Sequence, residues 1–235
     1  MTRTLERRTG KAQPIELRAG KSGSPGVLAG YAIVYDSLSQ NLGGFVERVA
    51  PGAVDKSLAD NLRVLARYNH DDNFLLGSTD SGTVRLASDS IGLAYEVDLP
   101  DTTAGRDVAA LAKRGDLRHS SFAFYVPPGG DEWGFTMGDY PLRTLRAIQL
   151  VDVAPVNTPA YLDTVAAMRS LAAATGLDPA SISTDNVEEI RSALRGDAPP
   201  ESAQVDNHAD PDAVPLSVRR LQLQLIELEL EPFPQ

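Results

Sequence analysis

The sequence contains no cysteine. That excludes a disulfide framework, a thiol nucleophile and cysteine–zinc sites, and it fits a reducing compartment. Histidine is nearly as scarce, with only His70, His119 and His208. No HExxH or similar ligand spacing accompanies them, so a catalytic metal is not expected. No run approaches eighteen apolar residues, so no transmembrane helix and no membrane contact are expected. The basic N-terminal stretch lacks the apolar core of a secretory signal. Positive charge is also short: 22 Lys and Arg stand against 32 Asp and Glu, a net charge of −10. Residues 171–235 hold twelve acidic and four basic side chains, so −8 of that excess lies in the last quarter of the chain. The −2 left on the remainder offers no electrostatic reason to expect nucleic-acid binding.

What is present reads as a mainly β, α+β domain with appendages. VLAGYAIVYDS, LRVLARYNH, GTVRLASDS, IGLAYEVDLP, RHSSFAFYV and RTLRAIQLVDVAPV are rich in β-branched and aromatic residues and are bounded by turn residues. TAGRDVAALAKRG predicts a helix, with Thr103 as N-cap and Gly115 as C-cap. Residues 127–142, rich in Gly, Pro and acidic residues, read as a surface loop. A further helix is predicted over about 160–174. Strands outnumber helices and βαβ alternation is absent, which suits a barrel or sandwich. The predicted organisation is a flexible lead-in over 1–23, a domain over 24–174, and an acidic linker with a C-terminal amphipathic segment over 175–235. A short helix is expected at 186–195, and 196–215 reads as disordered linker.

Three residues could carry chemistry. His70 ends an apolar strand and precedes a polar turn, where a general base is held by a sheet yet reaches substrate; position alone favours an ordinary surface histidine. In the strand HSSFAFYV, side chains alternate. Ser120, Phe122 and Phe124 share a core face, which leaves Ser121 beside small and polar neighbours on a face open to solvent. A serine nucleophile needs a base, and the base needs a third group to orient it. Asp152 is a carboxylate within an apolar strand, where a partner is required. That partner could be an imidazole, or an arginine such as Arg146 or Arg118. His208 falls in the linker.

Four segments in order resemble the prohead protease family of tailed phages: GYAIVYDSLSQNLGGFVERVAPGAVDKSL, LARYNHDDNFLLGS, GDLRHSSFAFYV and LVDVAPVNTPAY. They span roughly residues 28–170. The resemblance implies a herpesvirus-protease-like β-barrel flanked by short helices. It implies a serine endopeptidase, needing neither metal nor cofactor, that works in the host cytoplasm inside the phage prohead. Its substrates would be the scaffold, the N-terminal segment of the major capsid protein, and the protease itself. His70 and Ser121 match the family's histidine and serine. Asp152 stands where the family usually has Glu, which makes it the candidate third member. Since herpesvirus enzymes use a second histidine there, His119 is its rival. Those enzymes depend on dimerisation, so a homo-oligomer fits the resemblance. A second reading, of another class, is an inactive protease-like scaffold protein docking to coat protein through the acidic tail.

Overall fold

Two apolar stretches from the second half of the chain form the centre of the fold. HSSFAFY (β9, His119–Tyr125) and QLVDVAPV (β12, Gln149–Val156) pair antiparallel, with Ser121 opposite Ala154 and Ala123 opposite Asp152. The computed structural model describes residues 4–9, 15–158 and 165–196. Among them β9 and β12 belong to a five-stranded sheet that also holds β1 (Glu6–Thr9), β5 (Leu65–Arg67) and β6 (Leu75–Ser78), in the order β1-β9-β12-β5-β6. A four-stranded sheet, β2-β3-β8-β7, is built on β3 (Val27–Val34) and β8 (Gly92–Asp98), flanked by β2 (Glu16–Arg18) and β7 (Val84–Ser88). A three-stranded sheet joins β10 (Asp131–Phe135), β11 (Pro141–Leu145) and β4 (Val46–Val49), with β11 and β4 parallel.

The core fills the space between the strands' apolar faces: Leu28, Tyr95, Val97, Leu117, Phe122, Phe124 and Val153 are all buried in one cluster. The Ser57 hydroxyl of helix α1 (Asp55–Ala59) accepts from the Leu150 N–H at 2.9 Å, tying the helix to β12. Helix α2 (Thr103–Arg114) buries Val108 and ends at Gly115, whose left-handed φ of 80° glycine adopts without a Cβ penalty. Its N-cap is Thr102 rather than Thr103: the Thr102 hydroxyl accepts from the Gly105 N–H. A second, smaller cluster of Leu42, Phe45, Ala167, Leu171, Ile182 and Ile190 seats α3 (Val165–Thr175) and α4 (Val187–Arg195).

The α+β class is as expected, and α4 falls where a short helix is predicted. Three expectations need correction. First, the strands form three sheets among the described residues, and a closed barrel is not observed. Second, residues 127–142 are not an open loop: the turn-rich composition hides the β10–β11 hairpin, which β4 draws into a sheet from 96 residues away, a tertiary pairing that local propensity does not register. The strand predicted through 143–156 accordingly breaks at Arg146-Ala147-Ile148 into β11 and β12. Third, residues 6–9 of the predicted lead-in form β1, which adds to the free edge of β9. The C-terminal linker, amphipathic segment and His208 lie outside the described residues.

Candidate active site

Alternation along β9 sorts its two serines. Ser120 shares the core face with Phe122 and Phe124, whose ring centroids lie 5.0 Å apart. Its hydroxyl is 2.8 Å from the hydroxyl of buried Tyr95 on β8. Burial pushes the Tyr95 pKa up to about 12, opposed by the hydrogen bond from Ser120. Ser120 is therefore a core hydroxyl with a partner. Ser120→Ala would leave the Tyr95 hydroxyl without it, at a cost of about 1–3 kcal/mol. Urea unfolding is expected to show that loss, while peptide hydrolysis stays within about threefold of the parent.

Ser121, on the other face, meets His70 and Asp152. The sheet order explains how. Asp152 stands on the middle strand, Ser121 on one neighbour, and His70 just beyond the end of the other, in the 3-10 turn Tyr68–His70 that follows β5. A register irregularity between Leu150 and Asp152 marks a bulge, a feature that commonly re-aims a side chain beside a site. The His70 Nδ1 lies 2.7 Å from Asp152 Oδ1, and its Nε2 lies 2.6 Å from Ser121 Oγ. With a carboxylate on Nδ1, that nitrogen carries the proton, and Nε2 of the neutral ring presents its lone pair to the serine. Such an arrangement can take a proton from the hydroxyl and stabilise the imidazolium that results.

The backbone at His70 is strained into place. Asn69 and His70 have φ of 55° and 58°, two consecutive non-glycine residues in the left-handed region. Asn69 tolerates this better than most residues, and its Oδ1 accepts from the Asn157 N–H at 3.1 Å, just past the end of β12. That contact ties the His70 turn to the strand bearing Asp152. Asn69→Ala loses both features and is expected to cost about 1–3 kcal/mol by urea unfolding, with an unchanged m-value.

Asp152 is 1% exposed. Neither Arg146 nor Arg118 is its partner: Arg146 pairs with Glu132, and Arg118 donates to the Gly115 carbonyl at 2.5 Å. The arginine at Asp152 is instead Arg67, whose guanidinium nitrogen lies 3.3 Å from Oδ2 and 2.8 Å from Asp72 Oδ1. The approach to Oδ2 is an ion pair without hydrogen-bond geometry. Nothing in the sequence singled Arg67 out, since an arginine ending a strand is ordinary. His119 pairs across the sheet with Val156, two residues along from Ser121, while His70 Nδ1 is taken by Asp152. One further expectation is corrected: the Ser121 face is not open to solvent. Ser121 has 0% exposure, and its hydroxyl donates to the Arg8 carbonyl of β1 at 2.9 Å.

The sequence model of the caudovirus prohead serine protease family matches residues 13–176. The chain belongs to this family. The match spans all three site residues, and it bears out the resemblance carried by the four sequence segments. A prohead serine protease is a hydrolase of peptide bonds, and this chain is one by membership. Among solved structures, the capsid assembly protease of bacteriophage T4 is similar, with a TM-score of 0.46 and 14% identity over 67% of this chain and 99% of that one. No curated protein matches the chain. The family match begins after β1, so the strand that touches Ser121 precedes the family's shared segment.

Proposed function

We propose that this prohead protease cleaves the scaffold, or the N-terminal segment of the major capsid protein, and itself, inside the phage prohead, with Ser121 as nucleophile. The observation that carries the reading is the continuous Asp152–His70–Ser121 contact chain, assembled from residues 82 and 51 positions apart. In this mechanism the Ser121 oxygen attacks the scissile carbonyl as His70 Nε2 takes its proton. The imidazolium, stabilised by Asp152, then gives that proton to the leaving amine. Water, deprotonated by His70, attacks the acyl-enzyme, and the proton returns to Ser121. Backbone N–H groups would stabilise the oxyanion at each tetrahedral stage. The test is co-expression of the full chain with the capsid and scaffold proteins of its own phage. Defined fragments that depend on Ser121 support the reading. Co-assembly of intact capsid protein without fragments would instead mark the chain as an inactive scaffold-type protein.

A further inference from the structure

Strand β1 occupies the edge of β9, antiparallel, with Thr9 opposite Ser121, Arg8 opposite Phe122 and Glu6 opposite Phe124. An added edge strand is how an extended peptide commonly binds a sheet: main-chain bonds hold it and alternate side chains are read in pockets. The Arg8 carbonyl sits where such a peptide would meet the nucleophile, 2.9 Å from Ser121 Oγ. That hydroxyl has one hydrogen, and both the Arg8 carbonyl and His70 Nε2 lie within reach to accept it. A carbonyl that captures the hydrogen leaves the serine without its base.

The alternate side chains of β1 are read by charge. Glu6 and Arg8 are 2% and 6% exposed. Arg8 Nε donates to Glu47 Oε1 at 2.8 Å, and its guanidinium lies 5.8 Å from the centre of the Phe124 ring. Glu6 Oε2 accepts from Arg143 at 2.8 Å, and a second Arg143 nitrogen reaches Glu6 Oε1 at 3.1 Å. Glu47 on β4 and Arg143 on β11 also pair with each other at 2.9 Å, and Arg143 Nε donates to Asp131 at 2.7 Å. The acids around Arg143 outweigh the cost of burial and push its pKa further up, so it stays charged. Charges this deep are tolerated only when paired. Glu47, Arg143 and Asp131 belong to the shared family segment, whereas Glu6 and Arg8 precede it.

We infer that Glu6–Thr9 fills this chain's own peptide-binding groove, and that Glu47 and Arg143 select an extended peptide with a basic residue at the place of Arg8 and an acidic residue two before it. The inference rests on the reading of Ser121 as the nucleophile. While β1 is docked the groove is full, and substrate binds only as β1 leaves. The peptide group presented to Ser121 is the one that follows the basic residue. A peptide carrying the wrong charge leaves Glu47 or Arg143 facing a like charge in a dry site.

The test measures binding of the fluorescent hexapeptide TLERRT, a copy of residues 4–9, by anisotropy to the full-length Ser121→Ala chain. The same is done on that chain with Glu6→Ala and Arg8→Ala added. The chain with the weakened strand is expected to bind about 30-fold tighter, because its internal competitor is lost. Peptides TLKRRT and TLERET, each reversing one charge, are expected to bind about 30-fold or more weakly than TLERRT. That comparison also runs on the chain with intact Glu6 and Arg8, so a folding defect in the strand variant does not decide the outcome. Equal binding of the three peptides, or equal binding by chains with and without the strand changes, overturns the inference. Charge-selective binding by a chain whose Ser121 form hydrolyses nothing would sink the proposed function and leave this groove standing. Ser121-dependent capsid fragments alongside charge-blind binding would do the reverse.

Discussion

Ser121→Ala is expected to lower hydrolysis of capsid or scaffold protein by a factor on the order of 10⁴ or more, with the fold intact. The substitution removes the oxygen that lies 2.6 Å from His70 Nε2. It leaves the apolar packing of β9 untouched, since Phe122 and Phe124 lie on the opposite face. It also deletes the contact to the Arg8 carbonyl, a hydrogen bond of about 1 kcal/mol. The unfolding midpoint should therefore move by only a few degrees, about what that single bond is worth in a domain this size. The measurement pairs fragment yield on gels with thermal unfolding of the same preparations. Normal processing by the variant would remove Ser121 from the reaction. Loss of activity in Ser120→Ala instead would move the nucleophile to the other face of β9.

The second large effect is expected at Asp152→Asn. The change keeps the shape of a side chain that is 1% exposed and removes its charge. An amide opposite His70 Nδ1 can offer an N–H as readily as a carbonyl oxygen, and it then selects the tautomer with hydrogen on Nε2. That tautomer cannot accept the serine proton. Loss of the negative charge also leaves the imidazolium without its counter-ion and places the part-buried Arg67 beside a neutral group. A fall in kcat of roughly 10⁴-fold, with KM little changed, is expected from the corresponding change in serine proteases. His119→Ala is the control: it should stay within about threefold of the parent, because the ring it replaces does not touch His70 Nδ1. A severe loss at His119 combined with a mild one at Asp152 would make the second histidine the orienting group.

Both expectations rest on residues that were legible before any coordinates. Ser121 was separated from Ser120 by strand alternation, a purely local property, and the Tyr95–Ser120 contact accounts for the other hydroxyl in the way that alternation requires. Asp152 stood out because a carboxylate in an apolar strand demands a partner. Which partner it has was not legible: Arg146, Arg118 and His70 were equally available in one dimension. The β10–β11 hairpin was missed for a related reason. Its Gly, Pro and acidic residues favour turns, and only pairing with β4 makes strands of them. Strand β1 is the most consequential omission. Glu6-Arg7-Arg8-Thr9 has the composition of a solvated lead-in, and its burial follows from Glu47 and Arg143, which the chain brings in from about 40 and 137 residues away.

The sequence by itself determined the strand-dominated fold and which serine of β9 turns away from the core, because period-two alternation and short-range turn chemistry are written in consecutive residues. The enzyme class was legible only through the resemblance of four segments to the prohead protease family, which also marked His70 and Ser121 and left Asp152 and His119 as rivals for the third place. The tertiary structure decided what touches what. It brought His70 between Asp152 and Ser121 through the strand order of one sheet, set Arg67 beside Asp152 in place of Arg146 and Arg118, arranged the strands of the described residues in three sheets, and closed Ser121 beneath β1. Each of these depends on pairing between segments far apart in the chain, where the deciding energy is hydrogen bonding and charge compensation across space rather than any preference of neighbouring residues.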